Sequence, residues 1–283
     1  MRQAWDDHAD QPQAVADRLD ACTADLATPQ QCTACAHLTA HVWGEHLGQW
    51  QSGMQRLQAL GQHSALGQDP GARALIARLQ ASLGVAAGDT RAADDLSSED
   101  RIAAWSLAAS ALAGQGLLDA SITCYQSAQT WAEAGVADGS PALRALAIGG
   151  NNLAAALEER VGRSPAQTEA MVQAAQAGLR WWRRAGSWLE EERAEYRLAR
   201  SLLKAGQPQL AQQAAQRLLA VCEAHQAPAF ERFFGHAVLA LAWQADGDEA
   251  RFRAARQQAL DQLAQVPEAE RSWCAADLAE LQA

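Results

Sequence analysis

A helix–glycine turn–helix pattern recurs along the chain and constrains its fold more than any other feature. It is clearest in residues 199–222, "ARSLLKAGQPQLAQQAAQRLLAVC". Apolar residues on each side of the turn recur at steps of one and three, which places them on one stripe of each helix. Gly206 suits the left-handed end of the first helix, and Pro208 suits the first turn of the second. Two such helices cannot bury both stripes alone, so the hairpin must pack against neighbours.

Five further segments show the same pattern. They are residues 37–60, 75–100, 105–129, 151–175 and 239–263, with turns at Gly48, Gly88, Gly116, Gly162 and Gly247. Successive turn glycines lie about 28 to 46 residues apart. A helical hairpin repeated at this spacing is typical of an α-solenoid. The segment at 75–100 is the least regular, because it has room only for a short second helix.

The composition agrees with an all-α fold. Apolar residues make up 49% of the chain and are mostly Ala and Leu, which favour helix, while no Val/Ile alternation marks a strand. We therefore expect a right-handed α-solenoid of about six stacked antiparallel hairpins with end helices. The expected single domain spans 1–283, with an N-terminal cap at 1–30, repeats at 32–265 and a C-terminal capping helix at 267–283.

The hairpins resemble tetratricopeptide (TPR) repeats, in a long-repeat variant. The third hairpin carries the best match to the repeat signature, at Trp105, Ala108, Ala109, Leu112, Gly116, Ser121, Tyr125 and Ala128. The fifth hairpin departs from it, since Glu195 stands where the leading Trp is expected. The fourth, "NNLAAALEERVG", is similar to the longer repeats of kinesin light chain and of sensor regions in some bacterial regulators.

The resemblance implies a concave groove lined by the first helix of each hairpin. Counting from the turn glycines gives these groove candidates: Ser106, Ser110, Asn151, Asn152, Glu158, Arg193, Tyr196, Arg200, Phe234, Leu241 and Gln244. Amide, guanidinium and aromatic groups together suit a peptide that carries a carboxylate. Two alternatives stay open: the asparagines satisfy a neighbouring helix, or the arginines pair with nearby glutamates on a solvated face.

Charge and local composition bear on partners and location. The net charge of −10 argues against nucleic acid, which needs a concentrated positive footprint. The segment 179–188, "LRWWRRAGSW", is either a basic, aromatic binding patch or a helix end at which cations are favoured.

The first ten residues do not resemble a signal peptide, and the apolar run 237–243 is too short to span a membrane. Six cysteines in helical patterns suit a reducing compartment. We expect a cytoplasmic protein with a protein or peptide partner, and no nucleic-acid or membrane partner.

One stretch, residues 32–46, "CTACAHLTAHVWGEH", raises the question of a metal. In a straight α-helix Cys32, Cys35 and His46 share a side, while His37 and His41 face away. His46 then lies too far along the axis to join the cysteines around one tetrahedral ion. The sequence predicts no metal and no cofactor, with His37 and His41 as the remaining candidates.

No catalytic constellation stands out in the sequence. Gly149-Gly150 indicates a close helix contact and not a phosphate-binding loop, because no strand precedes it. The sequence therefore predicts a non-enzymatic scaffold or adaptor that binds a peptide or protein segment in its groove. Two alternatives remain open: a ligand- or peptide-sensing regulatory module that acts on a separate effector, and an enzyme built on a helical-repeat scaffold.

Overall fold

The computed structural model describes residues 2–282, and within that range the regular structure is helical, with no strand. The α-helices are α1 (Arg2–Asp7), α2 (Pro12–Cys22), α3 (Pro29–His41), α4 (Trp50–Gly61), α5 (Pro70–Ala86), α6 (Ser98–Gly114), α7 (Leu118–Ala132), α8 (Pro141–Glu159), α9 (Pro165–Ala185), α10 (Trp188–Lys204), α11 (Pro208–Ala224), α12 (Ala229–Asp246), α13 (Glu249–Leu263) and α14 (Ala275–Gln282).

The turns lie where the sequence predicts them. All six turn glycines have a positive φ: Gly48, Gly88, Gly116, Gly162, Gly206 and Gly247. Helices α6 and α7 pack against each other, as do α10 with α11 and α12 with α13. The all-α repeat fold expected from the sequence is confirmed.

Reciprocal caps fix where two of these helices begin. Ser164 accepts a hydrogen bond from the backbone N–H of Gln167, whose side chain accepts one from the backbone N–H of Ser164. Ser187 and Glu190 make the same pair of bonds at the start of α10. Each capping box satisfies two backbone donors that a helix start would leave without a partner.

Three segments differ from the regular hairpin pattern. Residues 89–96, where a short second helix was expected, form turns between α5 and α6, since so short a segment cannot repay the entropy of starting a helix. The chain from Val42 to His46 is a π-helix that continues α3. The C-terminal cap begins as a 3-10 helix, Glu268–Cys274, before α14.

The chain divides into two compact units, Met1–Ala156 and Leu157–Ala283. The core of the first unit includes Leu38, Trp43, Leu57, Leu60 and Leu83. The core of the second includes Phe233, Ala237, Ala259, Val266 and Leu281. The single-domain assignment and its cap boundaries stay a prediction. Among the helices of residues 2–282, none combines the length and the apolarity that crossing a bilayer requires.

Candidate functional site

Helix α10 carries a polar stripe in the second unit. Arg193, Tyr196, Arg197 and Arg200 are spaced three, four and seven residues apart, so they lie along one side of the helix. The opposite side buries the apolar residues Leu198, Ala199 and Leu202. The amphipathic pattern of α10 thus presents a row of donors to whatever packs on it.

The C-terminal helix α14 packs on this stripe. Tyr196 Oη donates to Asp277 Oδ1 at 2.6 Å. Arg200 binds Glu280 through both terminal nitrogens, with Nη1–Oε2 at 2.9 Å and Nη2–Oε1 at 2.6 Å. Arg200 Nη1 is also 3.8 Å from Asp277 Oδ1. Two acidic residues on one side of α14 therefore meet a phenol and a guanidinium on one side of α10.

Helix α12 supplies the apolar part of the same surface. Phe234 packs edge-on against the Tyr196 ring, with centroids 5.5 Å apart, and contacts Phe233 in the core. Leu281 of α14 is buried in the core of this unit, and Leu278 packs against it. Helix α14 is thus amphipathic, with its acids on α10 and its leucines on α12. We call the surface beneath it, formed by Tyr196, Arg200 and Phe234, the α10–α12 face.

The charges at this contact are set by burial and by the hydrogen bonds. Burial raises the pKa of Asp277, while Tyr196 and Arg200 act in the opposite direction. The hydrogen bond from Arg200 lowers the pKa of Glu280, which is therefore ionised at neutral pH. Burial and the nearby Asp277 raise the pKa of Tyr196, so its phenol stays protonated and donates. The contact between Arg200 and Glu280 is accordingly a charge-assisted, two-point bond.

Comparison with known proteins identifies the fold. No family model matches the sequence, and no curated protein matches it. Ten chains of known structure do match. One is a crystal structure of nearly identical TPR-like repeats attributed to a kinesin light chain of Podospora anserina, with a TM-score of 0.50 and 17% identity. The match covers 79% of this chain and 99% of that one. This chain has a TPR-like fold. The resemblance read from the sequence is confirmed, and at this identity the likeness shows the fold alone.

The remaining groove candidates of the second unit are Arg193 and Glu158, which contact other helices, and two residues of α12. Arg193 Nη2 donates to Glu231 Oε1 at 2.6 Å. Glu158 accepts from Ser201 Oγ at 2.6 Å and forms an ion pair with Arg197. Burial raises the pKa of Glu158, and the charge of Arg197 opposes that shift. The last two candidates lie on α12, where Leu241 packs against the core and Gln244 is exposed.

Three of the four groove candidates of the first unit also contact neighbouring helices. Ser106 and Ser110 are buried, and Ser106 Oγ donates to the Ala145 carbonyl at 2.8 Å. Asn152 Nδ2 is 3.4 Å from Ser110 Oγ and 3.5 Å from Glu45 Oε2. Asn151 Oδ1 is buried without a hydrogen-bond partner among the described residues. A binding role for these four stays a prediction.

The Trp-rich segment at the end of α9 is packed internally. Trp181 and Trp182 are buried, and the Arg180 guanidinium lies 4.6 Å from the centroid of the Trp181 ring. Arg183 binds Glu191 and Glu195, both at 2.8 Å. These contacts support the structural interpretation of the segment, as a helix end rich in cations, over a binding patch.

The histidine candidates separate in the structure. His41 lies beside His46 and His8, and this cluster does not include His37. Burial raises the pKa of the Cys35 thiol to about 11, which makes that sulfur a poor ligand at neutral pH. The sequence predicted a C-terminal capping helix but not its packing on α10, and it did not single out His8. The acid–leucine pattern of α14 indicates an amphipathic helix but not the helix on which it packs, and nothing in the sequence linked His8 to His41.

Proposed function

We propose that this TPR-like chain is a non-enzymatic protein-interaction scaffold, and that its α10–α12 face receives a helical segment of a partner protein. The observation that carries the proposal is the seating of α14. Tyr196, Arg200 and Phe234 were predicted to line a binding groove, and each of them lies where α14 packs in the second unit. Stacked helical hairpins present surfaces of this kind to peptides, and an amphipathic helix in an apolar groove is a recurring mode of peptide recognition.

Helix α14 specifies the chemistry expected of the partner. Its Asp277 and Glu280 are three residues apart. Leu278 directly follows Asp277, and Leu281 directly follows Glu280. A partner helix with this spacing offers one carboxylate for the two-point bond of Arg200 and two leucines for α12. The eight-residue α14 is too short to be a stable helix by itself. A longer partner helix of the same pattern is therefore able to displace it.

The test is binding of a peptide in trans. A fluorescent peptide with the sequence of residues 267–283 is titrated into the wild-type chain and into a full-length Asp277→Asn/Glu280→Gln variant, and its anisotropy is followed. The tethered α14 competes at an effective concentration of about millimolar. Weakening it should therefore increase the affinity for the added peptide about tenfold or more. Adding Arg200→Ala to the variant should abolish this gain.

A matched peptide controls for non-specific binding. The same peptide carrying Asp277→Asn and Glu280→Gln should bind the variant chain about tenfold more weakly, because it lacks the partners of Tyr196 and Arg200. Equal binding of the two peptides, or binding of neither, would show that the α10–α12 face does not receive such helices. Thermal stabilisation by a small molecule with no peptide binding would favour the sensor module instead.

A further inference from the structure

Three histidines of the first unit converge on one point. The ligand nitrogens of His8, His41 and His46 all lie within 4.8 Å of one another, and the three side chains are half-buried. The Nε2 atoms of His41 and His46 are 3.2 Å apart. The three residues come from two separate parts of the chain: His8 follows α1, while His41 ends α3 and His46 ends the π-helix that continues it.

The π-helix is the reason that His41 and His46 meet. In an α-helix, residues five apart point about 140° away from each other. Here the Leu47 N–H bonds to the Val42 carbonyl at 2.9 Å, closing the wider i to i+5 turn. This wider turn brings His46 back to the side of His41. Such π turns are rare in helices and are found frequently at functional sites.

Helix α6 holds the π turn in place. A Cβ on Gly114 would lie 2.5 Å from the carbonyl oxygen of Glu45, so only glycine allows the two backbones to approach this closely. Gln115 Nε2 donates to that same carbonyl at 2.7 Å. The turn that carries His46 is therefore fixed by its neighbours and not merely by its own sequence.

Two of the imidazoles are already oriented. His41 Nδ1 is 3.0 Å from Glu45 Oε1, so Nδ1 carries the donated hydrogen and the lone pair sits on Nε2. His8 Nδ1 bonds to the Trp5 carbonyl, which likewise leaves its Nε2 as the lone-pair nitrogen. Asn152 Nδ2 is 3.5 Å from the other oxygen of Glu45. A histidine held by a carboxylate in this way is the usual arrangement around a protein-bound metal.

We infer that the Nε2 atoms of His8, His41 and His46 bind one zinc ion, with water as the fourth ligand. Tetrahedral zinc with bonds of 2.0–2.1 Å places its ligand nitrogens about 3.3–3.4 Å apart. The His41–His46 separation of 3.2 Å matches this geometry. His8 joins them by a small side-chain rotation, since the three ligand atoms lie within 4.8 Å.

Zinc at this point joins α1 to the rest of the first unit. Helix α1 has only six residues. Within residues 2–282, the buried core of the first unit includes one residue of α1, Ala4. A helix this short has little stability of its own. Coordination by His8 therefore fixes the N-terminal segment against the π turn.

The experiment titrates the chelator-treated full chain with Zn²⁺ and with Co²⁺, each as a simple salt. Zinc affinity is measured by competition with a chromophoric chelator, and coordination by the visible spectrum of Co²⁺. We expect one ion per chain, a four-coordinate Co²⁺ spectrum, and no sulfur-to-cobalt charge transfer. His8→Ala, His41→Ala and His46→Ala should each lower the zinc affinity about a hundredfold or more. His225→Ala, which removes an exposed histidine of the other unit, should change nothing.

A fifth variant tests the orientation of His41. Glu45→Gln keeps the size of the side chain but weakens its hold on the imidazole, so zinc affinity should fall about 10- to 100-fold with the spectrum retained. Circular dichroism establishes that each variant is folded. His8 lies outside the helices, so His8→Ala tests the site without disturbing the core. Unchanged affinity in folded His8→Ala, sulfur charge transfer, or no one-to-one binding would overturn the inference and leave only a hydrogen-bonded histidine pair.

Discussion

Arg200 and Glu280 form a two-point ion pair that joins α10 to the C-terminal helix, with nitrogen–oxygen distances of 2.9 and 2.6 Å. Glu280→Gln should loosen α14 by about 1 kcal/mol, since Glu280 is 43% exposed and solvent weakens the pair. This corresponds to about fivefold faster amide hydrogen exchange across α14, measured by mass spectrometry.

Arg253 and Glu249 provide the matched control for this pair. They also form an ion pair, but both side chains are mostly exposed and lie on one helix, α13. Glu249→Gln should leave exchange across α14 unchanged. Unaltered exchange in Glu280→Gln would mean that the leucines and the Tyr196–Asp277 hydrogen bond hold α14 without this ion pair. The carboxylate expected of a partner opposite Arg200 would then lose its support.

Glu195 is a buried carboxylate shared by two arginines. It accepts from Arg183 Nη2 at 2.8 Å, and from Arg217 Nε and Nη2 at 2.8 and 2.9 Å. Glu195→Gln should lower the free energy of unfolding by about 2–3 kcal/mol, because two guanidiniums then face a neutral amide. The loss is smaller than for a fully buried ion pair, since both arginine side chains are nearly half exposed. Urea denaturation of the full chain measures this loss.

Arg183→Ala is the comparison for Glu195→Gln. It removes only one partner, whose side chain is 47% exposed, and Arg217 keeps its two bonds. The expected loss is about 1 kcal/mol or less. If Arg183→Ala proves the more destabilising of the two, the paired arginines do not act on Glu195 as the geometry indicates.

The parts of the fold that local chemistry determines were predictable from the sequence. Gly206 ends one helix and Pro208 starts the next through local backbone preferences. The turn could therefore be placed without knowing which helices pack around the hairpin. Glu195 shows the limit of this reasoning. Its departure from the TPR signature was visible, but its two arginines lie on α9 and α11, and only the packed helices bring them together.

The candidate sites depended on contacts that periodicity does not encode. A straight α-helix through residues 32–46 separates His41 from His46, and the π turn that unites them depends on packing against Gly114 of α6. Tyr196 and Arg200 are groove candidates that the TPR resemblance implied. Their actual partners, Asp277 and Glu280, lie far away in the sequence, and no local pattern assigned α14 to that face.

Glu192 makes stability depend on pH. Burial raises its pKa from 4.5 to about 9, and the neighbouring Glu231 carboxylate adds to the shift. Between these values the folded chain holds a proton that the unfolded chain releases. This contribution to stability is therefore complete below about pH 4.5 and is lost as the pH rises through about 9.

Glu192→Gln should remove this pH dependence, because the amide resembles the protonated acid and does not titrate. The free energy of unfolding, measured by urea denaturation from pH 6 to 9, should fall more steeply for the wild type, by up to about 1.4 kcal/mol per pH unit. Glu159→Gln, a change at an exposed position, should keep the wild-type slope. Parallel slopes for wild type and Glu192→Gln would mean that Glu192 is already ionised in the folded chain.

Gly149 marks the close helix contact that the sequence indicated. A Cβ at this position would lie 2.4 Å from Ser106 Oγ and 3.2 Å from a ring carbon of Tyr125. Neither neighbour is free to move, since Ser106 Oγ and Tyr125 Oη each donate to a carbonyl of α8 at 2.8 Å. Gly149→Ala should therefore lower the free energy of unfolding by about 1–3 kcal/mol, as overpacking does.

The same substitution elsewhere separates packing from helix propensity. Gly71 lies in the first turn of α5, where an added Cβ would meet only Asp69 Oδ1, at 3.4 Å. Gly71→Ala should be neutral or stabilising by up to about 1 kcal/mol, because alanine favours helix. Thermal unfolding of both variants measures the difference. If Gly149→Ala is as stable as Gly71→Ala, α6 and α8 must be further apart in solution than this contact requires.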